Sequence, residues 1–154
     1  MKNLLFLLCL ILLTSHSVVA QKRLKGQRIK ALKTSFITNS LDLTPKEAEK
    51  FWPIYNMYSD SIQSLKVSLE NGIQRKIQIA GGIESLSEKQ AENFISKMSN
   101  IEQQITDHQL KLINELSTII SFKKIIKLKK TQREFNRRIL REYGRRRQLG
   151  KQRQ

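Results

Sequence analysis

Twice in this chain, 43 residues apart, the same helix-starting device occurs, and no other feature constrains the fold as much. In Leu43-Thr44-Pro45-Lys46-Glu47-Ala48-Glu49-Lys50-Phe51, Thr44 is an N-cap whose hydroxyl accepts from a backbone N–H that the first helical turn leaves unpaired. Pro45 falls at the first helical position, where its missing N–H costs nothing. Glu47, three residues after the cap, bonds back to it and completes a capping box, with Leu43 and Ala48 placed as a hydrophobic staple. Leu86-Ser87-Glu88-Lys89-Gln90-Ala91-Glu92-Asn93-Phe94 repeats the pattern, with Ser87 as cap, Gln90 as its reciprocal partner and Leu86 before them. Two long helices therefore begin in the same way, which points to a duplicated helical unit.

The apolar periodicity carries the helices onward. Ala48, Phe51, Trp52, Tyr55, Tyr58, Ile62, Leu65 and Leu69 form a stripe of helical period, continued by Ile73 and Ile77, which predicts a helix to about Ala80 broken by Gly81-Gly82. Pro53 lies inside it and predicts a bend. A second stripe runs through Ala91, Phe94, Ile95, Met98, Ile101, Ile105, Leu112 and Leu116. A third, Phe122, Ile125, Leu128, Gln132, Phe135, Ile139 and Tyr143, follows a short turn, with Ser121 as its cap. Ahead of them all, Leu24, Arg28, Ile29, Leu32, Phe36 and Ile37 mark a basic amphipathic helix that Asn39-Ser40 interrupts. The fold class is all-α: three to four long, bent amphipathic helices in hairpins. A thin hairpin leaves apolar stripe uncovered, so a homodimer is expected.

The first twenty residues read as a cleavable secretory signal: Lys2, an uncharged apolar run from Leu4 to Leu13, a polar stretch, then Val18-Val19-Ala20. The run is short of the roughly 20 residues that span a membrane. Cleavage after Ala20 removes Cys9 and leaves a periplasmic chain without cysteine and with a net charge of +15, against +16 for the whole. The expected organisation is residues 1–20 signal, 21–143 helical domain and 144–154 a basic, frayed tail. Export turns the charge away from nucleic acid and toward acidic proteins, unfolded chains and the anionic membrane surface.

From Phe122 onward, fourteen Lys or Arg stand against two Glu. Lys123, Lys124, Lys127, Arg133, Arg137, Arg138 and Arg141 are candidate partner-binding residues, set against the alternative of a solvated face. The aromatic cluster Phe51, Trp52, Tyr55 and Tyr58 has the same two readings, core or exposed binding strip. No chemistry is legible. His108 is the one histidine beyond the signal, and the chain has no Gly-rich phosphate loop and no nucleophile with its base. Lone methionines and a lone histidine do not make a metal site, so no cofactor and no metal are expected.

Leu43-Thr44-Pro45-Lys46-Glu47 and Leu86-Ser87-Glu88-Lys89-Gln90 resemble the paired LTxxQ motifs of the Spy/CpxP family of exported envelope-stress proteins. Glu47 stands where that pattern has Gln, and Ser87 where it has Thr; both swaps keep the capping chemistry. Leu43 to Tyr58, with Gln132-Arg133-Glu134-Phe135 and its basic flank, is most similar to the branch described as sensors of extracytoplasmic-function (ECF-type) sigma factors or periplasmic heavy-metal sensors, although the metal ligands of that branch have no counterpart here. The resemblance implies bent hairpins forming a dimeric cradle. It implies either regulation through a membrane sensor or anti-sigma factor, or ATP-independent holding of unfolded clients.

Overall fold

The computed structural model describes residues 26–151; residues 1–25, with the expected signal and the expected start of the basic helix at Leu24, and residues 152–154 lie outside them. The architecture among the described residues is all-α, in hairpins: α1 (26–41), α2 (Pro45–Ile79), a short 3-10 turn (Ile83–Ser85), α3 (Glu88–Ser117) and α4 (Phe122–Lys151). Two compact units divide it. Leu43–Ile126 holds α2, α3 and the first residues of α4; the other unit holds α1 and α4 from Lys127.

Both capping boxes form. The Thr44 hydroxyl accepts from the Glu47 N–H at 3.3 Å, and the Thr44 N–H donates to the Glu47 carboxylate at 2.8 Å. Ser87 and Gln90 make the same exchange at 3.3 and 2.9 Å. α2 then runs unbroken through Pro53. The proline removes one N–H, which would have bonded the carbonyl of Glu49, and Glu49 is exposed where water can replace that bond. Gly72 does not end the helix. The end comes at Ala80, where the Gly82 N–H reaches the Ile77 carbonyl at 2.9 Å and the Gly81 N–H reaches that of Gln78 at 3.1 Å. This is the Schellman arrangement, and it needs backbone at positive φ, here +85° at Gly81 and +117° at Gly82.

α3 stops without a glycine. The Ser117 and Thr118 hydroxyls donate to the carbonyls of Asn114 and Glu115 at 2.7 and 2.8 Å, satisfying acceptors that the helix end leaves free. Ser121 then caps α4, accepting from the Lys124 N–H at 3.3 Å. Ile120 and Ile125 occupy the staple positions on either side of that cap, and both are buried.

Two boundaries differ from expectation. α1 continues through Asn39-Ser40 to Leu41, because Ile37 and Leu41 are both fully buried and the packing outweighs two weak helix formers. It ends at Asp42 in the left-handed region (φ +50°), a conformation that aspartate tolerates better than most residues. At the other end, α4 carries on past Gly144, the expected start of the tail, to Lys151.

α2 and α3 pack side by side as an antiparallel hairpin. Near its open end Tyr58 meets Glu115 and His108, while near the loop Lys76 meets Phe94. Burial is uneven along it. Phe51, Tyr55, Tyr58, Ile105, Leu112, Leu116, Ile120 and Ile125 form a core at the base, and from Ser59 to Gln104 no side chain is fully buried. In the other unit Ile37, Leu41, Leu128, Thr131 and Phe135 are buried, with the rings of Phe36 and Phe135 tilted 5.7 Å apart.

Candidate binding surfaces

Formal charge separates cleanly between the units. Leu43–Ile126 contains ten Lys or Arg and ten Asp or Glu, so the whole excess of +16 lies outside it. The described part of the other unit, 26–42 with 127–151, carries fourteen basic side chains against three acidic ones. Within it, Lys127, Arg133, Arg137 and Arg141 are exposed, with Arg133 and Arg137 on the side of α4 opposite Leu128, Thr131 and Phe135. Two intrahelical pairs offset them weakly, Lys130–Glu134 at 3.8 Å and Arg145–Glu142 at 3.2 Å. Exposed pairs of this kind leave most of the positive potential in place. Arg138 lies 6.0 Å over the Phe36 ring beside a cleft of about 730 Å³ between α1 and α4.

The other candidates divide. Lys123 is exposed. Lys124 is not a free cation: its ammonium donates to the Glu47 carboxylate at 2.7 Å, with both side chains about three-quarters covered. One carboxylate thus serves the cap of α2 and the first turn of α4. Lys124 and the Thr44 N–H together hold the Glu47 carboxyl below its ordinary value.

The aromatic cluster is core and not a binding strip. Phe51, Tyr55 and Tyr58 are buried, Phe51 stacks on Tyr55 at 5.3 Å, and Trp52 meets both rings edge-on. Trp52 alone of the four keeps part of its surface in solvent. The Tyr58 hydroxyl donates to the Glu115 carboxylate, and that contact raises the phenol above its usual value. His108 sits 5.9 Å from the Tyr58 ring, with its Nδ1 buried and without a hydrogen-bond partner. Among the described residues no three His, Cys, Asp or Glu side chains gather as a metal site requires, and no helix is long and apolar enough to cross a membrane.

The exposed apolar surface lies elsewhere. Ile79, Ile83 and Ile95 stand out at the hairpin tip, and Phe122, Ile126 and Leu140 along α4. Leu32, Ile95 and Phe122 fall on predicted stripes, yet all are more than half exposed, so these three expectations of burial fail. Between α2 and α3 near the tip lies a groove of about 430 Å³, lined by Leu69, Ile73, Phe94, Met98 and Ile101, with Gly72 in one wall.

No protein-family profile, no curated protein and no solved structure matches the chain.

Proposed function

We propose that this protein is an exported, non-enzymatic regulator of the envelope-stress type, Spy/CpxP-like, which works by docking on an acidic protein surface such as a membrane sensor or anti-sigma factor of an ECF-type sigma pathway. The observation that carries this reading is the segregation of charge: a neutral hairpin, and a second unit with fourteen basic side chains against three acidic. A solvated face needs charge of either sign, whereas one sign concentrated on one unit steers encounter with a partner of the other. The two matched helix starts support the family likeness.

The test is affinity capture from envelope extract followed by sedimentation of the isolated pair, using the full chain and a variant with Arg133, Arg137 and Arg141 changed to Glu. One stoichiometric acidic partner, lost on charge reversal and weakened by salt, is the expected result. A partner retained by the reversed variant would overturn the proposal.

A second reading is favoured by the apolar side chains exposed at the hairpin tip: an ATP-independent chaperone that holds unfolded clients. It predicts a heterogeneous captured set and suppressed light scattering by an aggregating client. In either role the chain is proposed to act as a homodimer, with the anionic membrane surface as an accessory contact.

A further inference from the structure

The groove at the hairpin tip has a chemistry distinct from that of the basic unit. Lys76 from α2 and Lys97 from α3 both line it. Lys76 lies 5.4 Å over the Phe94 ring, a cation–π contact that holds the ammonium against the apolar wall. Neither lysine forms an ion pair among the described residues. Lys97 lies near enough to hold the Lys76 ammonium below the usual lysine range, with burial adding a little. Two like charges facing one apolar groove repel each other, and an anion placed between them removes that cost.

We propose that the hairpin tip binds a single-chain anionic amphiphile, a fatty acid, with its carboxylate between Lys76 and Lys97 and its chain along Leu69, Ile73, Phe94, Met98 and Ile101. The groove volume of about 430 Å³ lies within the range of small-molecule sites. The helical walls decide between a lipid and a peptide. Their backbone N–H and C=O groups are already paired within α2 and α3, so a bound peptide backbone would go unsatisfied there. A molecule with one polar end and an otherwise apolar body asks nothing of those walls. Gly72 lies in the groove wall with open space before it, and a Cβ there would meet nothing within 4 Å.

The site belongs to the neutral hairpin, so the regulator reading and this one stand or fall separately. Calorimetric titration of the full chain with dodecanoate, and with dodecyltrimethylammonium, below their micellar concentrations and at about 0.15 M salt tests it. The expected result is one dodecanoate per chain and no saturable binding of the cationic amphiphile. Affinity should fall at least about tenfold in Lys76→Gln/Lys97→Gln, which removes both charge-assisted contacts. A comparable loss is expected in Gly72→Leu, which fills the groove. The second change replaces glycine with a strong helix former, so loss of binding there cannot be put down to unfolding. Several results would overturn the proposal: no saturable binding, equal binding of the cationic amphiphile, or dodecanoate binding that survives both variants. Loss of binding only when Arg133, Arg137 and Arg141 become Gln would assign it to the basic unit and overturn it equally. So would an unstructured apolar peptide whose own binding depends on Gly72.

Discussion

The base and the tip of the α2–α3 hairpin are built from the same two helices and reach opposite ends of the burial scale. At the base, Phe51, Tyr55 and Tyr58 face Leu112 and Leu116, with Ile120 and Ile125 from the turn and the start of α4 also buried. At the tip, Leu65, Leu69, Ile73 and Ile77 face Phe94, Met98 and Ile101, an equally apolar set, and none is fully buried. The difference is a third layer. Two helices can shield only the line along which they touch, and a core needs something across the open side of that line. The tip keeps an accessible groove for the same physical reason that the base is closed.

The largest effect should come from Phe51→Ala. It empties a fully buried position and should cost about 3–5 kcal/mol in denaturant melts, whereas Ile95→Ala at the tip should stay within about 0.5 kcal/mol. Equal costs would mean that the tip is covered in solution, as a dimer through that surface would require. Hydrogen exchange reads the same contrast, with amides of 65–79 opening more readily than those of 51–58.

The two capping boxes offer a matched pair. Thr44→Ala and Ser87→Ala should each lose about 1 kcal/mol, the former more, because Glu47 also holds Lys124. An inverse order would show that the Glu47–Lys124 pair adds nothing to the base.

Gly72→Ala should raise stability by about 0.5–1 kcal/mol, since Gly72 lies inside a helix with open space around it. A loss would show that the tip packs more tightly than its exposure indicates.

The smallest expected effect concerns pH. Folding depresses the Glu47 carboxyl below its ordinary 4.5, so its contribution is complete above that value and disappears as the pH falls through the depressed one. The melting temperature should therefore drop on acidification below about 4.5 more steeply in the parent chain than in Glu47→Gln. Parallel curves would remove Glu47 from the account of acid sensitivity.

Much of this was legible in the residues, and what was not has identifiable causes. The starts at Thr44 and Ser87 could be read because a cap is a bond between neighbours three residues apart, and Gly81-Gly82 because only glycine adopts such backbone freely. The continuation of α1 through Asn39-Ser40 could not, since weak local preference there yields to the burial of Ile37 and Leu41. Nor could the exposure of Ile95 and Phe122: periodicity assigns a residue to a stripe, but a neighbour decides which edge of the stripe is covered. Glu47 and Lys124 lie 77 positions apart, and no short-range pattern joins them. The groove left one faint trace, a glycine set between Leu69 and Ile73 with Lys76 a turn further on.

Sequence by itself determined where the helices of the hairpin begin, where α2 stops and how much positive charge follows Phe122, because each is decided by chemistry within a few residues. Only tertiary structure decided which aromatic rings are core, which lysine is spent on an internal ion pair, and where the hairpin stays open. Those outcomes depend on whether a third surface arrives to exclude water, and that is a property of the packed chain, not of any segment in it.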